Sequence, residues 1–105
     1  MGMLKFEVGH QLSKEEALHR AQRLLEYWGN KYGIQTRWEG ETAHMDGKVM
    51  GISLTAHMTI TDSKVEGEAS DPGMLFRNKA RKYLEEKFAE ALDPKKNIDE
   101  MMGRS

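Results

Sequence analysis

The feature that most constrains this chain is the order of its periodicities: a helical stripe, a long alternating stretch, then a second helical stripe. His10-Gln11-Leu12-Ser13-Lys14-Glu15-Glu16-Ala17 opens the first helix. Ser13 suits the N-cap and Glu16 follows three residues later, the pattern of a capping box, with Leu12 and Ala17 as its hydrophobic staple. Ala17, Ala21, Leu24, Leu25, Trp28 and Tyr32 then share one face. Gly33 supplies a residue that takes the left-handed conformation cheaply, so the helix is predicted to stop at Tyr32-Gly33.

Ahead of this helix, Leu4, Phe6 and Val8 alternate with Lys5, Glu7 and Gly9, a short half-buried strand. Behind it, strand signals run from Gln35 to about Glu68. Asp46-Gly47 carries a hairpin signal. Met50, Ile52, Leu54, Ala56, Met58 and Ile60 then alternate with Gly51, Ser53, Thr55, His57, Thr59 and Thr61, giving one core face and one polar face. Asp62-Ser63 makes the next turn, and Val65, Gly67 and Ala69 complete a three-stranded meander. Asp71-Pro72 predicts the second helix, with Asp as cap and Pro in the first turn. Its stripe is Phe76, Ala80, Tyr83, Leu84, Phe88, Ala91 and Leu92, and Asp93-Pro94 closes it. The expected architecture is α+β, in the order β-α-β-β-β-α. It is a two-layer sandwich with both amphipathic helices on one face of an antiparallel sheet.

The hairpin register decides the place of Trp38. With Asp46-Gly47 as a two-residue loop, Trp38 lies opposite Thr55 on the polar face. With one more residue and a bulge, it joins Ile52, Leu54 and Ala56 in the core. Burial of an aromatic side chain dominates local energetics, which favours the core.

At 105 residues there is room for one domain, residues 1–93, with a polar tail at 94–105. There are no cysteines, which removes disulfides, thiolate metal sites and a cysteine nucleophile. A formal net charge of -1 argues against a dedicated nucleic-acid partner. Met1-Gly2-Met3-Leu4-Lys5 leads directly into a strand pattern rather than a secretory leader, and no run approaches the length of a transmembrane segment. A cytoplasmic protein is expected.

The chemistry-bearing residues form no recognisable catalytic centre. His10, His19, His44 and His57 lack a paired ligand spacing; with the two-residue loop, His44 and His57 would lie four residue pairs apart on one sheet face. Glu15-Glu16 and Glu85-Glu86 belong on solvated helix faces, and Glu39 and Glu41 flank Gly40 on a strand. No serine sits in a nucleophile elbow, and the glycines are too dispersed to cradle a phosphate. No catalytic residue, metal ligand or cofactor is expected. The second helix opens with Arg77, Lys79, Arg81 and Lys82, where the helix dipole prefers acids, a placement that suits an acidic partner. Met74, Met101 and Met102 flank that helix and could dress an adaptable contact surface.

His10-x-Leu12-Ser13-x-Glu15-Glu16-Ala17, Lys31-Tyr32-Gly33, Trp38-x-Gly40 and Gly51-x-Ser53-Leu54 follow one another in an order and spacing that extend over residues 4 to 92. In this the chain resembles the polyhydroxyalkanoic acid system proteins, a granule-region family of bacterial proteins of about this length encoded near polyester-granule genes. Where that family opens its second helix on a Leu-rich segment, this chain has Gly73-Met74-Leu75-Phe76 and then the basic stretch. The resemblance implies a non-enzymatic accessory protein that touches a polyhydroxyalkanoate granule, lipid or a granule protein. The expected contact residues are Trp38, Met74, Phe76, Arg77, Arg81, Met101 and Met102. Two alternatives come from other classes. One is a domain enclosing a small hydrophobic acyl ligand, the other a homodimerising module that pairs through an edge strand or the Thr55/His57/Thr59 face.

Overall fold

The computed structural model describes residues 3–49 and 51–96. Its elements are β1 (Met3–Gly9), α1 (Lys14–Tyr32), β2 (Gln35–Glu39), β3 (Thr42–Val49), β4 (Ile52–Ile60), β5 (Lys64–Ser70) and α2 (Arg77–Ala91). The five strands form one antiparallel sheet in the order β1-β5-β4-β3-β2. β2 to β5 make a meander of consecutive hairpins, and β1 joins it beside β5. Strands β1 and β2 are therefore the two edges, and α1, which connects them, must cross the whole sheet. The α+β class and the two-layer arrangement are as expected from the sequence, with one more strand in the meander.

The extra strand comes from where the turns fall. Gly40 and Gly51 have φ of 62° and 82°, a region that costs other residues strain, and the chain reverses at these two positions. Asp46-Gly47, expected to be the hairpin loop, is instead extended in the middle of β3, where Asp46 pairs with Thr55 and Gly47 with Leu54. The glycine there serves packing: a Cβ on Gly47 would stand 3.1 Å from the Cα of Ile34. The polar-face position of Trp38 fails with that loop, while its expected place on the core face holds, reached through the Gly40 turn rather than a bulge after Asp46-Gly47. Trp38 pairs with Ala43 across the β2–β3 hairpin and faces the helical side, half-buried against the core.

The first helix forms as its sequence predicts. Ser13 Oγ accepts from the Glu16 N–H at 3.1 Å, and Gly33 closes the other end at φ 75° with its N–H on the Gly29 carbonyl. Ala17, Ala21, Leu24, Leu25 and Trp28 are buried against Phe6, Val8, Met45, Met58, Ile60 and Val65 of the sheet. From α2, Phe88 completes the core, with its ring 5.7 Å from Phe6 and, edge-on, 5.7 Å from Trp28.

The second helix departs from expectation at its start. It begins at Arg77, six residues after Asp71, and its N-cap position, Phe76, makes no side-chain cap bond. The first turn contains no acidic residue of its own and four cations lie on the first two turns, so within the helix this end lacks both the side-chain cap and the charge that an N-terminus favours. Its other end is held by Arg20 of α1. That guanidinium is almost wholly buried and donates to the carbonyls of Ala91 (3.2 Å), Asp93 (2.9 Å) and Lys96 (2.9 Å), while its Nε bonds the Glu16 carboxylate at 2.8 Å. Met50, Met101 and Met102, which the sequence assigned to the core stripe and to the contact surface, lie outside the described residues.

Candidate functional site

The segment joining β5 to α2 carries the largest exposed apolar side chains of the described residues. Met74 is 84 % exposed, Leu75 87 % and Phe76 51 %. Three consecutive apolar residues turned to water run against the hydrophobic effect, and a fixed backbone holds them there. Asp71 sets that backbone. One carboxylate oxygen accepts from the Gly73 N–H at 2.9 Å, and the other receives Arg77 Nε at 2.8 Å and Nη2 at 2.7 Å. The Gly73 N–H first, and Arg77 second, hold this carboxyl below the usual carboxylate range. Gly73, at φ 108°, then turns the chain, and its carbonyl accepts from the N–H groups of Phe76 and Arg77. Asp71, expected to cap the helix, thus braces the loop that precedes it.

Basic side chains surround this tip. Arg77 and Lys79 are exposed on the first turn of α2, followed by Arg81 and Lys82. Arg81 Nε donates to the Lys5 carbonyl at 3.2 Å, tying the helix to the outer edge of β1. Exposed Met3 starts β1 opposite Ser70, so this strand end lies beside the beginning of the tip loop. Met74, Phe76 and Arg77 therefore lie together, with Leu75 between them and Arg81 one turn further along α2. The signal for Leu75 was present in the sequence, as the middle of an apolar triplet between a glycine and a basic run.

Trp38 is not part of this surface. It stands on β2, at the opposite edge of the sheet, beside a groove of about 520 Å³ lined by Leu25, Gly29, Ile34 and Thr36 among others.

The face of the sheet away from the helices carries charged cross-strand rows rather than the expected Thr and Ser alone. One row runs Lys5, Glu68, His57, His44, Arg37, and the next Glu7, Glu66, Thr59, Thr42, Glu39. His44 and His57 are direct partners with ring centres 6.4 Å apart, not four pairs apart as the wrong hairpin loop implied. Among the described residues no group of three or more His, Asp or Glu is placed to hold a metal. Glu39 is engaged with His44 at 2.8 Å, and Glu41 with Lys14 at 3.4 Å. His10 braces the fold: its Nδ1 accepts from the Leu12 N–H and its Nε2 bonds the Thr61 carbonyl, fixing the neutral Nε2–H tautomer. No helix of the described residues is long and apolar enough to cross a membrane.

Comparison with known proteins gives one result that extends over this architecture. The model of a family described as "Putative polyhydroxyalkanoic acid system protein" matches residues 4–95, from the second residue of β1 to beyond the end of α2. Neither the curated proteins nor the solved structures compared with the chain gave a match. With 4–95 of its 105 residues matched, every strand and both helices included, the chain belongs to the polyhydroxyalkanoic acid system family.

Proposed function

We propose that this protein is a non-enzymatic accessory of the polyhydroxyalkanoate system that docks on the granule surface through Met74, Leu75 and Phe76. The observation that carries the reading is the exposure of Met74 and Leu75, 84 % and 87 %, on a loop braced by Asp71. Burying one such side chain in an apolar phase is worth about 1.5–3 kcal/mol. Association costs several kcal/mol in lost freedom, so three anchors support a reversible contact rather than permanent attachment. Bracing matters here because a loop already held in its binding shape loses little further entropy on contact. The basic residues at the start of α2 add attraction to an anionic surface layer, and this part of the contact weakens with salt.

The reading that an acyl ligand is enclosed between sheet and helices has less support. Phe88, Leu24, Leu25 and Met58 are at most 1 % exposed and fill the centre of that space, and the groove between α1 and β2 is open at the edge of the sheet. Co-sedimentation of the purified chain with polyhydroxybutyrate particles tests the proposal, with plain hydrophobic beads as competitor. The wild type is expected to pellet with polyester in preference to beads. The triple change Met74→Ser, Leu75→Ser, Phe76→Ser is expected to leave at least ~tenfold less protein in the pellet. Equal pelleting of the triple variant would remove the tip from the mechanism.

A further inference from the structure

We propose that His44 and His57 form a two-imidazole site for a divalent transition-metal ion, Cu²⁺ or Zn²⁺, on the sheet face away from the helices. The inference stands apart from the granule reading and uses none of its residues. It follows from the register of β3 and β4. With a hairpin loop at Asp46-Gly47 the two histidines would be four residue pairs apart, about 13 Å along the ladder and too far for one ion. In the structure they are direct cross-strand partners.

The kind of pair matters. The Ile60 N–H bonds the Glu41 carbonyl at 3.0 Å, which makes this a hydrogen-bonded position of the β3–β4 ladder. Bonding alternates along antiparallel strands. Thr42–Thr59 and His44–His57 are therefore both non-hydrogen-bonded pairs, whose side chains approach most closely. The Thr42 and Thr59 hydroxyls, on the same face two residues along, meet at 2.9 Å. The imidazole centres of His44 and His57 are 6.4 Å apart, with the ring planes inclined by 41°. An ion held by histidine lies about 2.0–2.1 Å from the ring nitrogen, so two rings sharing it have centres up to about 6.5 Å apart. The observed separation falls at the upper end of that span. Rotation about the ring torsion, which is broad for histidine, shortens it at little cost.

The surroundings suit a cation held by nitrogen. Glu39 Oε1 is 2.8 Å from His44 Nε2. A carboxylate on one ring nitrogen fixes the tautomer and raises the basicity of the other, which leaves Nδ1 of His44 for the ion. Glu68 stands opposite His57 on its other side, and His57, Glu66 and Glu68 line one depression of the sheet. The cations facing the pair are Arg37, opposite His44 and 3.9 Å from Glu39, and Lys5, opposite Glu68. Among the described residues no third side chain completes a ligand group, so water fills the remaining positions. Two imidazoles with open positions favour Cu²⁺, then Zn²⁺, over Mg²⁺ and Ca²⁺, which require oxygen ligands. The bound ion ties β3 to β4.

Isothermal titration calorimetry of the full chain with CuCl₂, ZnCl₂ and MgCl₂ at neutral pH tests this. One Cu²⁺ per chain, weaker Zn²⁺ and no Mg²⁺ are expected. His44→Asn and His57→Asn each leave a single imidazole, and each is expected to weaken Cu²⁺ binding at least ~tenfold. His19→Asn removes an exposed histidine on α1 outside the pair and is expected to leave the affinity unchanged. Electron paramagnetic resonance of the Cu²⁺ complex is expected to show coupling to both imidazoles. Near-ultraviolet circular dichroism of the metal-free variants, compared with wild type, shows that the fold is kept. Absence of Cu²⁺ binding by the wild type overturns the proposal. So does binding that both pair variants retain, a loss as large in His19→Asn, or a spectrum with a single coupled imidazole.

Discussion

Arg20 shows how one residue can hold two elements together. Its guanidinium meets the C-terminal carbonyls of α2, where the helix dipole is negative, and reaches on to Lys96. Arg20→Met keeps the apolar stem but strands three carbonyls, and is expected to cost about 3 kcal/mol in urea unfolding. This role is not legible beforehand, because an arginine on a helix among Glu, Gln and His reads as surface. Gly67 is similar. A Cβ there would collide with the His57 carbonyl oxygen and stand 2.8 Å from Met58 Cβ, and backbone cannot retract like a side-chain tip. Gly67→Ala is expected to destabilise by about 3 kcal/mol in the same measurement. Tyr83 supplies a pH dependence. Burial first, then the hydrogen bond with Tyr32, push its hydroxyl from 10.0 up to about 12. Between those values the unfolded chain releases this proton and the folded chain keeps it, so stability falls as pH rises above 10.0. Tyr83→Phe removes that part of the alkaline loss, which thermal melts across the range would register.

At the scale of elements, the two helices differ in how far the sequence specifies them. α1 carries its own cap, stripe and stop signal within its residues, which is why it was legible. Ser13→Ala is expected to cost about 1 kcal/mol in thermal or urea unfolding, the usual worth of an N-cap. α2 was legible only in its second half, where Phe88, Ala91 and Leu92 are buried. Its first half read as part of a stripe, yet Phe76 is 51 % and Tyr83 40 % exposed. Asp71-Pro72 misled because a helix cap and a loop brace use the same carboxylate on nearby N–H groups. The strand count failed for a comparable reason. Asp46-Gly47 and Gly40-Glu41 both satisfy turn chemistry, and the choice rests on contacts far away in sequence, chiefly Ile34 against Gly47. The correction moved His57 opposite His44 and Trp38 opposite Ala43, so one misplaced turn displaced two candidate residues together.

At the scale of the molecule, the sheet separates two apolar features that the sequence had grouped as one contact surface. The Met74-Leu75-Phe76 tip follows β5, beside the β1 edge, and Trp38 lies on β2 at the other edge. Which of them would carry the proposed granule contact is the central question. The chain contains no cysteine, so Leu75→Cys can be labelled at that single position with a polarity-sensitive dye, and Thr55→Cys, exposed on the charged sheet face, serves as reference. The measurement is the emission shift of each label when polyhydroxybutyrate particles are added. The account predicts a blue shift at position 75, as the tip leaves water, and none at position 55. A particle-bound protein whose label at position 75 still reports water would contradict it.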